Sequence, residues 1–390
     1  MSNVKLPWSG FPLRSFVTGV IFAPPNIAHR PTSPGPCPPP QRRPVCGGAT
    51  MHGSGGDRCS ANVCVRPCAC IGKIAFDNPD APCVSVSVTG CRVGEVAMPT
   101  TDRMVNAWIF LNEDEPSGTT YSDPTSCYQT LIRDGVYGAV DILYLCFATT
   151  LPVGPETVPA TPAAQAGSYT IAMGAASHAG GLTNQDYMDW VIRDARASNP
   201  SIRIAMTLNW GDGSLLSNIF TAGSLDPEPA AKAFAANLLA YLRRYDLDGF
   251  DIDWESPISD QTTREQFRCL VTAIGAAFRA QTDRKFYLTL SPAAVGNLDA
   301  AAVNDSVDFV NLQLYSGFTD PAAFTAAGVD AALFAYGAKF ESDVQTAQAA
   351  YDDNAANYGY PIFTCWRLNS SNFAFEQAQQ KALSALVFPS

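Results

Sequence analysis

Histidine, basic charge and long apolar runs are what this sequence has least of. Three histidines occur in 390 residues, and only His178 lies beyond residue 100. A histidine-ligated metal or a Ser-His-Asp triad therefore has almost no material in most of the chain. Lys and Arg number 25 against 36 Asp and Glu, a net charge of -11. Nucleic acid and anionic membranes both require a basic footprint, so they are disfavoured as partners and a neutral or cationic ligand is expected. No apolar stretch reaches the ~18 residues that a membrane-spanning helix needs. The N-terminal "FPLRSFVTGVIFAPP" is a weak export signal, because Pro12 and Arg14 interrupt its apolar part and only Lys5 precedes it.

What is present divides unevenly. Residues 1–100 hold 15 of the 29 prolines and 8 of the 12 cysteines, with 9 Lys or Arg against 4 Asp or Glu. Proline at that density opposes helix and strand alike, so this part reads as a low-order extension. Cys59, Cys64, Cys68 and Cys70 could bind zinc or form disulfides, although their spacing is not that of two paired CxxC knuckles. The other reading is an upstream segment with no fold of its own, translation beginning at Met98 or Met104. The boundary is expected between those two residues, with residues 101–390 forming the folded domain.

From Met104 the chain alternates short apolar runs with longer helical patterns. Strands are predicted at 104–111, 140–148, 202–210, 247–254, 285–291, 307–315, 333–340 and 361–368. Between them, segments such as "NQDYMDWVIRDARA" and "PAAKAFAANLLAYLRRY" carry apolar residues three and four apart. Strands separated by helices imply parallel pairing with right-handed crossovers, and eight units imply an α/β fold of the (β/α)8 barrel type. A doubly wound open sheet is the alternative, disfavoured because no glycine-rich nucleotide loop follows the first strand. The remaining cysteines, Cys127, Cys146, Cys269 and Cys365, read as small core residues.

The segment "RRYDLDGFDIDWESP" (243–257) crowds four carboxylates, Asp248, Asp251, Asp253 and Glu255, into a predicted strand. Side chains alternate along a strand, so Asp251, Asp253 and Glu255 share one face and Phe250, Ile252 and Trp254 the other. In a barrel the apolar set meets the helices, and the carboxylates line the interior with Glu255 nearest the mouth. Like charges on one buried face are relieved when some hold protons at neutral pH, which is what general acid catalysis requires. A metal site or a purely structural polar cluster is the alternative. Asp248 has the opposite parity and is expected to brace the start of the strand, while remaining among the candidate substrate contacts.

Leu247 to Glu255 resembles the signature of the family 18 glycoside hydrolases, the chitinases and endo-β-N-acetylglucosaminidases: an apolar residue followed by D-G-x-D-x-D-x-E. Weaker similarities follow in order. "IAMTLNWG" is similar to the third-strand S-x-G-G region with Thr207 as the hydroxyl, "NLQLYS" to a sixth-strand element, and "FTCWRL" to an eighth strand with a tryptophan at the floor of the sugar site. Asn209 and Trp210 depart from the family where glycines are expected, and so does Ser316, where Asp or Asn is common.

The resemblance implies catalysis by Glu255, Asp253, Asp251 and Tyr315, with Gln313, Trp366, Thr207 and Asp248 as substrate contacts. It implies hydrolysis of β-1,4-linked N-acetylglucosamine polymers, in which the substrate's acetamido oxygen is the nucleophile. N-glycan release and a non-catalytic sugar-binding protein are the other functions considered. The expected partner is a carbohydrate containing N-acetylglucosamine, acted on by a monomer with no cofactor and no metal; such a substrate would suit an extracellular location. Only about twenty residues separate Phe340 from Pro361, too few for an inserted wall beside the cleft, so an open groove is expected.

Overall fold

A computed structural model describes residues 103–111, 119–154, 168–176, 178–221, 226–317 and 319–389. The expected low-order extension, its clustered cysteines and the alternative start at Met98 lie outside the described residues.

Nine strands occur among the described residues: β1 Met104–Phe110, β2 Ile142–Pro152, β3 Tyr169–Met173, β4 Arg203–Leu208, β5 Gly249–Trp254, β6 Tyr287–Pro292, β7 Phe309–Leu312, β8 Phe334–Lys339 and β9 Ile362–Trp366. Their order is β1-β9-β8-β7-β6-β5-β4-β2-β3, and β1 also pairs with β2. Leaving β3 aside, eight parallel strands close into a barrel, each at a predicted position. The strand not expected is β3. It pairs antiparallel with the outer half of β2, from Ala148↔Met173 to Pro152↔Tyr169, and so extends the β2 hairpin beyond the closed ring.

Helices fill the crossovers for local reasons that the sequence supplies. Thr183 caps Asn184–Ser198 in a reciprocal box with Asp186, and Thr263 caps Arg264–Arg279 in the same way with Gln266. Pro227 occupies the first turn of Pro227–Arg244, where its missing N–H costs nothing. Between β8 and β9 lie only the turn Glu341–Asp343 and the helix Ala347–Asn357, so no wall domain is inserted there. Among the described residues no helix is long and apolar enough to cross a membrane.

The alternation on β5 runs as expected. Phe250, Ile252 and Trp254 are fully buried in the layer between barrel and helices, where the Trp254 ring lies 4.5 Å from that of Phe267. Burial of this kind contributes about 1.5–3 kcal/mol for Phe250 and for Ile252. A second apolar cluster, with Trp108, Tyr144, Cys146, Tyr287 and Phe309, fills the barrel itself. Gly249 is required at the start of β5, because a Cβ there would stand 2.7 Å from the Tyr287 carbonyl oxygen. Cys127, Cys146, Cys269 and Cys365 are all buried.

Candidate active site

A cavity of about 450 Å³ opens at the C-terminal ends of the barrel strands. It is the face on which barrels of this kind carry their reacting groups. Register builds it: Asp251 sits beside Thr207 of β4 and Thr289 of β6, and Asp253 beside Ser291. Asp251 is deepest, with no exposed surface. Thr289 Oγ1 donates to its Oδ1 at 2.6 Å, and Ser291 Oγ to both its oxygens at 2.9 Å. Burial pushes its carboxyl up to about 6, with the hydroxyl donors pulling against that shift.

Asp253 lies one step nearer the mouth, and Glu255 follows at the end of the strand; both line the cavity. Burial, then the neighbouring charges of Glu255 and Asp251, drive the Asp253 carboxyl well above the usual range. Gln313 ties the pair together. Its Nε2 donates to Glu255 Oε1 at 2.7 Å, to Asp253 Oδ1 at 3.2 Å and to the Ser291 carbonyl at 3.2 Å. A hydrogen-bonded ladder underlies them, in which Thr364 Oγ1 donates to Asn311 Oδ1 at 2.5 Å and Asn311 Nδ2 to Ser291 Oγ at 3.2 Å.

Thr207 and Trp366 reach the same cavity from the strands predicted for them, whereas Tyr315 reaches it by a route that the sequence did not indicate. β7 ends at Leu312, and Leu314–Ser316 is a 3₁₀ turn. Tyr315 therefore enters the cavity from a turn rather than by strand parity with Gln313. Burial, followed by the charges of Asp253 and Glu255, keeps its phenol protonated. Thr207 Oγ1 accepts from Trp108 Nε1 at 3.0 Å, and Trp108 stacks on Tyr144 with centroids 5.1 Å apart. Trp366 at the end of β9 stands near Phe147 and Phe110, at 6.0 and 6.4 Å. Together they make an aromatic floor. Asn209 and Trp210 line the β4 side, and Trp210 is 39% exposed.

Asp248 is not part of this site. Its Oδ2 accepts from the Ile204 amide at 2.9 Å and from Arg196 Nη2 at 3.0 Å, and Arg284 lies 3.5 Å from its Oδ1. These contacts lie at the N-terminal end of β5, the far end of the barrel, so the expectation of a substrate contact is withdrawn. The bracing role that its parity indicated is the one its contacts fit.

Sequence reasoning missed Trp108, Phe110, Phe147, Ser291 and Lys339, all of which line the cavity. In the sequence they look like ordinary strand residues. Among the described residues, no group of three or more His, Cys, Asp or Glu is arranged to hold a metal ion.

Residues 146–382 match the family described as Glycosyl hydrolases family 18. An endochitinase of Brugia malayi is 34% identical over 100 residues, covering 25% of this chain and 19% of that protein. Chitotriosidase-1 of Mus musculus is 26% identical over 147 residues, covering 34% of this chain and 30% of its own. Among solved structures, a class V chitinase from Nicotiana tobaccum superposes with a TM-score of 0.48 at 13% identity, covering 73% of this chain and 99% of that one.

Proposed function

Since this chain belongs to family 18 of the glycosyl hydrolases, we propose that it hydrolyses β-1,4-linked N-acetylglucosamine polymers, chitin or its oligosaccharides, by substrate-assisted retaining catalysis. The observation that carries this reading is the Gln313 amide, which donates to Asp253 and Glu255 at once. It holds an acid and its neighbour in one cluster at the open end of the barrel.

In the proposed reaction Glu255 donates its proton to the glycosidic oxygen as the bond to C1 breaks. The substrate's own acetamido oxygen closes on C1, giving an oxazolinium ion, so the configuration is retained overall with the substrate and not a second enzymic carboxylate as the nucleophile. Asp253, whose surroundings favour the protonated form, orients the acetamido group and shares its proton with Glu255 in one state and Asp251 in another. Tyr315 donates to the acetamido oxygen. Gln313 steadies the carboxyl pair, and Trp366 offers an apolar plate to the pyranose ring. Glu255, now a carboxylate, takes a proton from the water that opens the oxazolinium ring.

Release of N-glycans is a second reading, favoured by the plain β8–β9 connection, which leaves room for a branched substrate. Turnover of a chromogenic chitobioside measured beside glycan release from a high-mannose glycoprotein decides between them. Binding of chito-oligosaccharide with turnover of neither substrate would instead make the chain a sugar-binding relative.

A further inference from the structure

Three donors converge on Glu341, a residue for which the reaction above has no use. It lies in the turn directly after β8. Its Oε2 accepts from Trp366 Nε1 at 2.9 Å and stands 3.0 Å from Lys339 Nζ, while its Oε1 stands 2.9 Å from Arg367 Nη2. The side chain is only 20% exposed, and that of Arg367 only 4%. The Arg367 guanidinium in turn lies 5.2 Å from the centre of the Phe110 ring and 5.5 Å from that of Trp366. The indole is therefore gripped at its N–H edge by a carboxylate that is itself anchored to a buried cation.

We propose that Glu341 is a positioning residue for the sugar platform, holding the plane of Trp366 through a charge-assisted hydrogen bond; this rests on the reading that Trp366 meets a pyranose ring. Stacking on a sugar requires the ring face at a fixed tilt. An indole N–H without an acceptor leaves that tilt to packing alone, and Trp366 is only partly buried. A carboxylate acceptor gives a shorter and stronger bond than a neutral one. Lys339 and Arg367 keep the acceptor ionised and aimed, so that two cations and one aromatic edge define its position. Charge balance alone would require no contact with the indole.

The test uses the full chain. With ¹⁵N-labelled tryptophan and Trp366→Phe for assignment, the Trp366 indole N–H of the wild type should resonate downfield and exchange slowly with solvent. Glu341→Ala should remove both features, and Glu341→Gln, whose amide oxygen still accepts, should keep part of them. Affinity for N-acetylglucosamine trimer should fall about tenfold in Glu341→Ala and less in Glu341→Gln, as expected for a lost charge-assisted hydrogen bond. KM should carry the change, with kcat held within about threefold. In the Trp366→Phe background Glu341→Ala should add nothing further, because the two residues act as one unit. An indole resonance unmoved by Glu341→Ala, or an effect of that variant that persists without the indole, would overturn the proposal. Absence of trimer binding in the wild type would count against the functional reading, and the resonance would still decide the role of Glu341.

Discussion

Replacing Glu255 by glutamine keeps the shape of the side chain and removes its ionisable proton. Glu255 Oε1 accepts from Gln313 Nε2 at 2.7 Å. The new amide oxygen can take the same bond, now neutral instead of charge-assisted, at a cost of about 1 kcal/mol. The fold should survive that. Loss of the Glu255 charge also removes one cause of the upward push on Asp253, so the Asp253 carboxyl should titrate lower in the variant. The barrier changes far more. General acid catalysis of this kind supplies about 10²–10⁴ in rate, or roughly 2.7–5.5 kcal/mol. Steady-state turnover of a chromogenic chitobioside should fall by at least that factor, while titration with N-acetylglucosamine tetramer should give an affinity within a few-fold of wild type. Near wild-type turnover in the variant would refute the assignment of the acid. Binding lost together with turnover would mean that Glu255 shapes the cleft instead of donating a proton.

Asp251 titrates near 6 in the fold against about 3.9 in an unfolded chain. The folded state therefore binds the extra proton between those values, and its stability falls as pH rises through them, by about 3 kcal/mol for this group. Asp251→Asn should gain that amount on wild type between pH 4 and pH 7 in urea unfolding, and a difference independent of pH would sink the argument. We also propose that residues 101–390 are sufficient for the barrel; a chain begun at Met98 should melt cooperatively and retain turnover, and failure of either would make the preceding segment structural. On long soluble chitin the plain β8–β9 connection predicts early random shortening. Disaccharide alone in the first minutes would show that the site is enclosed, with the β2–β3 hairpin as the element to shorten next.

All eight barrel strands could be read in the sequence, because each is a short apolar run set off by a helical pattern. β3 could not. "YTIAM" is short, and it pairs with an extension of β2 instead of opening a new strand-helix unit. The carboxylate face of β5 was legible because Asp251 and Asp253 alternate strictly with apolar residues. Apart from Asn106 on β1, both faces of β1 and of the first half of β2 are apolar, as is usual in parallel sheets. The sequence therefore could not say that Trp108, Phe110 and Phe147 face the cavity rather than the helices. Glu341 was invisible for a different reason. It follows a strand as one acidic residue in a polar turn, and its partner Trp366 lies on the next strand, so only the pairing of β8 with β9, which sets Lys339 beside Trp366, brings them within 2.9 Å.

The central claim is that the acetamido group of the substrate, and not a carboxylate of the protein, attacks C1 while Glu255 supplies the proton. Proton NMR of freshly cleaved N-acetylglucosamine tetramer tests it most directly, because the anomeric signal records how many times C1 was displaced. The account predicts the β-anomer first, with the α-form growing in only by mutarotation, and neither in Glu255→Gln. An α-anomer formed first would show a single displacement by water, and equally fast release of the β-anomer from the N-deacetylated tetramer, which has no acetamido nucleophile, would show attack by a carboxylate of the protein; either would contradict the mechanism.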